Sequence, residues 1–390
     1  MRRARQGAAV ALCVAPLLLA VGCAGGPGTA KSEGDGDQPA RVAVTVVPAN
    51  GENDVRPDAG VTISVAEGGV SSVEVVGDDG KKVAGKADPD ETRWTSAGRL
   101  EVGTTYTVTV RATDAGGTST TTRTTFTTVE PPESKQLEAS SISPLDGSTV
   151  GVAQPLVVGF NHPVEDRQAV QAALRVQTSP KVEGAWYWID DQYVHYRPKD
   201  FWPAGTKVTL HADINGIDAG DGVWGVASRT RSFAIGRKQV IRVNAKRHRL
   251  SVESDGKVIR SFPVSTGKRG WETRNGIKVI MEKVRDKKWT NEAIQAPEEY
   301  TLFSDYAMRM TNSGEFIHDA PWNTGNIGSA NTSHGCVGMY PKDMAWLFRR
   351  TITGDPVVVT GSPRKYTEIW NRYMDWNVPW QKWSPGNAQG

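Results

Sequence analysis

The chain has 390 residues, with 46 Lys and Arg against 43 Asp and Glu and only 3 cysteines. That length suits two or three domains, and no segment resembles a nucleic-acid-binding motif, so with the export signal described below nucleic acid is not an expected partner. The charges are unevenly spread: residues 237 to 390 hold 24 Lys and Arg against 15 Asp and Glu, a basic surplus that suits an anionic polymer as well as a mixed solvated surface.

Residues 1–22 open with Arg2, Arg3 and Arg5 and continue in an apolar run from Ala8 to Val21, interrupted by Pro16. This reads as a secretory signal, too short for a spanning helix. Its end, "LLLAVGC", resembles a bacterial lipobox, which implies lipidation of Cys23 and a lipoprotein at the outer face of the cytoplasmic membrane, facing the wall. Ordinary cleavage at the same small residues is the alternative. Residues 23–40, rich in Gly and Asp, read as a flexible tether.

A degenerate repeat follows. "VVPANGENDV" is echoed by "ISPLDGSTV", and "LEVGTTYTVTV" by "FWPAGTKVTLHA". Alternating Val, Thr and Tyr between turn residues predicts two tandem immunoglobulin-like β-sandwiches, over residues 41–129 and 138–236. The link "VEPPESKQ" is stiffened by Pro131 and Pro132. His162, His195 and His211 are scattered and read as ordinary core or surface residues. In "NGIDAGDGVWG", the spacing of Asp218, Asp221 and Gly222 offers oxygen ligands to calcium. A plain hairpin tip uses the same residue types.

The pattern stays β-rich from Gln239. "QVIRVNAKRHRLSVESDGKVIRSFPVSTG" predicts strands with a hairpin turn at Asp255-Gly256. "GIKVIMEKV" and "GEFIHDA" read as further strands, and "DPVVVTG" closes the sheet. "PKDMAWLFRRT" predicts a short helix with Met344, Leu347 and Phe348 on one face.

Cys13 leaves with the signal and Cys23 is expected to be acylated, so Cys336 has no intramolecular partner. It lies in "TSHGCVGMY", among turn-forming residues. Cysteine catalysis needs a thiolate, a base and oxyanion donors. His318, 18 residues upstream, is a candidate base, and the backbone N–H groups of Gly335 and Cys336 are candidate donors. His334 is close along the chain and suits a loop brace. Zinc held by His318, His334 and Cys336 is the rival reading, short of ligands for want of a second cysteine. A buried structural thiol is the third.

"IHDAPWNTGNIGSANTSHGCVGMY" resembles the signature of the L,D-transpeptidase (YkuD-type) family, and the resemblance extends over roughly residues 237 to 385. The two upstream modules match the layout of mycobacterial and other actinobacterial members. The resemblance implies a mainly β chain whose catalytic domain, residues 237–361, follows the two modules, with a Trp-rich tail, residues 362–390, packed on that domain. It implies peptidoglycan stem peptides as substrate, 3→3 cross-links made through a Cys336 thioester with loss of D-alanine, and no cofactor for catalysis. His318 would be the base and the Asp319 backbone carbonyl the third element. Ser333, His334 and Gly335 would shape the nucleophile loop, Tyr300 would belong to a lid, and Ser313 and Gly314 would meet the donor stem. Gly338 departs from the Asn or Arg that many members carry there. The same layout implies a structural calcium at Asp218, Asp221 and Gly222, and carbapenem-class β-lactams as inhibitors. The alternative is an inert wall-binding or spacer lipoprotein, which would not need the His318–Cys336 pair.

Overall fold

The computed structural model describes residues 42–366 and 368–389. The expected signal peptide, tether and lipidated Cys23 lie outside the described residues.

The first module is a sandwich. One sheet orders Ala43–Val47, Thr62–Ala66, Arg93–Ser96 and Gly85–Ala87, and the other orders Gly69–Gly77, Thr105–Thr113 and Ser119–Thr127. Ile63 and Trp94 from the first meet Val75, Val108 and Phe126 from the second in one apolar cluster. Period-2 alternation drives this: along Thr105–Thr113, Tyr106, Val108, Val110 and Ala112 are buried and the residues between them are not.

The second module repeats the plan with two four-stranded sheets and a core of its own, built around Leu156, Trp188, Trp202 and Leu210. Its acidic turn faces backwards along the chain. Asp218 pairs with Arg56 of the first module at 3.1 Å, and Asp221 pairs with Lys135 of the link at 2.9 Å. The two carboxylates thus point at different cations, Asp221 is largely exposed, and Asp221 and Gly222 sit at φ 50° and 71° as tight-turn residues do. This arrangement does not fit the expected calcium site. Among the described residues, no three His, Cys, Asp or Glu side chains converge on one point.

The third region has a five-stranded sheet in the order Lys257–Pro263, Arg249–Ser254, Gln239–Asn244, Pro356–Thr360, Gly276–Val279. Asp255 and Gly256, at φ 50° and 81°, make the expected hairpin turn. "DPVVVTG" does not border this sheet. Pro356–Thr360 lies inside it, parallel to Gln239–Asn244. A second sheet orders Glu282–Thr290, Thr301–Arg309, Phe316–Asp319 and Val337–Met339. "GIKVIMEKV" is therefore two strands, broken where the Ile280 N–H donates to Asp355 in one sheet and the Met281 N–H to Arg309 in the other. The helix Pro341–Arg350 buries Met344 and Leu347 against the second sheet, with Phe348 partly buried beside them.

The tail does not stay on the third region. Asn371 and Asn377 bind Ser313 and Ile277 there. The same segment also meets the second module, from the Tyr373 hydroxyl, 2.9 Å from Ser143 Oγ, to the Trp383 indole, which donates to the Ala185 carbonyl at 2.9 Å, and Asn387, which binds Trp188. The reason is Arg197 of that module, only 2% exposed, whose guanidinium lies over the rings of Trp376, Trp380 and Trp383. His195 is no ordinary residue either: its Nδ1 lies 2.6 Å from the fully buried Asp375 carboxylate of the tail.

Candidate active site

The second sheet places His318 on one strand and Cys336 immediately before the adjacent parallel strand Val337–Met339. In its register Ile317 pairs with Val337 and His318 with Gly338. Both residues line a cavity of about 490 Å³ that also takes in Tyr300, Ser313, Gly314 and Gly338.

His318 is positioned on every side. Its Nδ1 lies 2.8 Å from the Asp319 carbonyl, which can only accept, so the ring proton sits on Nδ1 and Nε2 carries the lone pair. Ser304 Oγ donates to the same carbonyl at 2.7 Å and itself accepts from the Trp289 indole at 2.8 Å. Trp289 and Trp322 flank the imidazole, with ring centroids 4.8 and 5.7 Å away. The Asp319 carboxylate does something else. It accepts the Tyr306 N–H at 2.8 Å, and burial raises its pKa.

Cys336 follows Gly335, whose φ of 120° lies in the left-handed region where a side chain would be strained. Ser333 Oγ donates to the Cys336 carbonyl at 2.6 Å and accepts the Gly335 N–H at 3.2 Å. That second bond changes the expected oxyanion pair, since the Gly335 N–H is already used to tighten the turn. The thiol points at the Gly314 carbonyl, 3.6 Å away. Behind the turn, Thr273 Oγ1 donates to the Gly335 carbonyl at 2.8 Å. Glu315, beside Gly335, is held in the interior by the Arg274 N–H at 2.9 Å and the fully buried Lys278 ammonium at 3.3 Å.

Burial sets both titrations. It lowers the His318 imidazole to about 4, against a smaller opposing effect from the Asp319 carbonyl, and it pushes the Cys336 thiol up to about 12. The two shifts act together and hold the resting pair as neutral imidazole and neutral thiol.

His334 braces the loop. Its Nε2 lies 3.1 Å from Glu298 in the loop joining Glu282–Thr290 to Thr301–Arg309, where a lid was expected, and its ring stacks on Tyr300. With that nitrogen turned to the lid and His318 Nδ1 turned to a carbonyl, the three residues of the zinc reading do not converge. Ser313 is fixed by Asn371 of the tail, which accepts its N–H at 2.8 Å and donates to its hydroxyl at 2.7 Å. Sequence reasoning missed Ser304, Trp289, Trp322 and Asn371. The only trace of them is the excess of tryptophan, 13 in the chain, which marks no position.

Two family profiles match the chain: bacterial Ig domain over residues 52–218 and L,D-transpeptidase catalytic domain over residues 238–359. L,D-transpeptidase 2 of Mycobacterium tuberculosis is 32% identical, covering 99% of this chain and 97% of its own. L,D-transpeptidase 5 of the same species is 36% identical over 87% of this chain and 76% of its own. Among solved structures, an LD transpeptidase in complex with imipenem superposes with a TM-score of 0.50 at 34% identity, covering 57% of this chain and 98% of that one.

Proposed function

The chain belongs to the L,D-transpeptidase family, and on that premise we propose that Cys336 is the nucleophile of an enzyme forming 3→3 cross-links between peptidoglycan stems. The observation that carries this reading is the His318 tautomer, which leaves Nε2 unprotonated on a residue that lines the same cavity as the thiol.

Cys336 Sγ attacks the carbonyl of the L,D amide in a tetrapeptide donor. Because both partners rest neutral, the thiol proton passes to His318 Nε2 as the C–S bond forms, not beforehand. The Cys336 N–H is the remaining backbone donor for the oxyanion, Gly335 having given its own to Ser333. Collapse breaks the C–N bond, and the departing D-alanine amine takes the proton from His318. An acceptor amine then attacks the thioester, with His318 taking its proton. Asp319 acts through its carbonyl alone, with Ser304 sharing the load. No step in this scheme uses a metal or cofactor.

Intact-mass spectrometry with a tetrapeptide muropeptide tests the reading. A thioester adduct on the wild type that is absent from Cys336→Ala is expected, and residual cross-linking by that variant would overturn the assignment. His318→Ala should slow acylation by roughly 10²- to 10⁴-fold, and His334→Ala far less. A relative of this fold binds imipenem, so a carbapenem adduct on Cys336 belongs to the same reading. So does a lipid on Cys23, checked by fatty-acid labelling that Cys23→Ser abolishes.

A further inference from the structure

Gly314 and Phe316 line the cavity that His318 and Cys336 share, while Ile317 packs in the core behind it. Side chains alternate along an extended chain, so Glu315 turns away from the cavity, where it is only 3% exposed. A carboxylate at a core position needs partners. The Arg274 N–H donates to its Oε1 at 2.9 Å, and the Arg274 guanidinium stands 3.4 Å from the same oxygen. Its Oε2 faces the Lys278 ammonium at 3.3 Å. Lys278 belongs to Gly276–Val279 of the five-stranded sheet, so the pair joins the two sheets beneath the site.

The same cluster reaches both segments that flank the thiol. On one side the Arg274 guanidinium donates to Ser313 Oγ at 3.1 Å, next to Gly314, whose carbonyl accepts from the thiol. On the other, Thr273 Oγ1 donates to the Gly335 carbonyl at 2.8 Å and accepts the Gly267 N–H at 3.0 Å. Glu315 itself lies against the turn: a Cβ added at Gly335 would stand 3.6 Å from Glu315 Cγ. Stability alone does not call for this cluster, because well-packed apolar residues of similar volume serve a core as well as a buried ion pair does. What the charges add is direction, since Arg274 is held by its backbone and its guanidinium at once.

We propose that Glu315 is a positioning residue for Cys336: by fixing Arg274 it sets the spacing between the Gly314 end of the strand and the turn that presents the thiol. Its effect on acylation rests on the functional reading above. Its effect on the thiol does not. Burial raises the Cys336 thiol most, and the Glu315 carboxylate adds to that rise while the Phe316 backbone and Arg309 oppose it. Removing the Glu315 charge therefore makes the thiol easier to ionise.

Two double variants of the full chain test this. Glu315→Gln/Lys278→Met removes the ion pair and keeps an oxygen for the Arg274 N–H. Glu315→Leu/Lys278→Met removes the pair and that oxygen together. Both are expected to be alkylated by iodoacetamide about threefold or more faster than wild type at pH 8. Acylation by a tetrapeptide donor should separate them. The Gln variant is expected to stay near the wild-type rate, and the Leu variant to lose about tenfold or more at saturating donor with half-saturation unchanged. Arg274→Met, which removes the guanidinium contacts, stands in with the same expected loss if the Leu variant fails to fold. Equal acylation by the Gln and Leu variants overturns the positioning role. Wild type without any acyl-enzyme would overturn the functional reading instead, and alkylation, which needs no donor, overturns the role of Glu315 separately if neither variant is faster.

Discussion

At the scale of single residues, the titration of the Cys336–His318 pair has a measurable sign. A thiol raised by burial carries little thiolate at neutral pH, so alkylation of Cys336 by iodoacetamide should still be climbing with pH beyond 9, above the range of an ordinary cysteine. A plateau by pH 7 would mean a preformed ion pair. His318 gives a second test. Its folded pKa of about 4 lies below the unfolded value near 6.5. Between those values the unfolded chain binds more protons, so stability falls as pH drops from about 6.5 to 4 and is unaffected by this group above that window. The size is on the order of 3 kcal/mol. Urea midpoints of the wild type and His318→Gln should converge across that range. Cys336 and His318 were legible from the sequence because an unpaired thiol and a histidine ending a strand are rare and chemically marked. Ser304 and Asn371 were not, since a common residue far along the chain gains its role only when the sheet and tail bring it close.

Among elements, the loop joining Glu282–Thr290 to Thr301–Arg309 has, among the described residues, one polar side-chain attachment to the loop before Cys336. Glu298 reaches Lys268 at 2.6 Å and His334 at 3.1 Å, and Lys268 foremost pulls its carboxyl down to about 2. Exposed pairs of this kind are weak, so Glu298→Gln should leave the fold intact and loosen only the tip. Hydrogen exchange at residues 291–300 is expected to quicken by about two- to fivefold, and acylation to slow with it. Unchanged exchange would show that the Tyr300–His334 stack alone holds this loop. The helix at Pro341 and the turn at Asp255-Gly256 could be read directly because their signals are local. The division of "GIKVIMEKV" could not. Its apolar run is continuous, and only the partners of Ile280 and Met281 in different sheets part it.

Over the whole molecule, the tail's route was hidden because its tryptophans find a cation, Arg197, more than 170 residues earlier in the chain. That guanidinium also donates to the Val378 carbonyl at 2.7 Å, and burial lowers its pKa to about 10. Arg197→Met, which keeps apolar bulk and removes the donors, should free the tail from the second module, seen as faster proteolysis after residue 375 with the first module's stability unchanged. A second expectation concerns reach. If residues 42–129 serve only to extend the catalytic region toward the wall, deleting them preserves activity on soluble muropeptides and lowers 3→3 cross-links in cells. Normal cross-linking at matched protein levels would refute that role. The tail has one more consequence, a mechanical one. The catalytic region leaves the second module through the strand end at Ile235 and returns to it through Trp383 and Asn387. Between these, the Gly151 and Ala153 N–H groups donate to the Thr353 and Gly354 carbonyls at 2.8 and 2.9 Å, and a body fastened at several points cannot swing on any one of them as a hinge. If the proposed wall substrate is bound, a pull on it would load the Arg197–tryptophan contacts together with the strand end at Ile235. The enzyme should therefore turn as a lever with its second module, and single-molecule pulling should find the two yielding in one event.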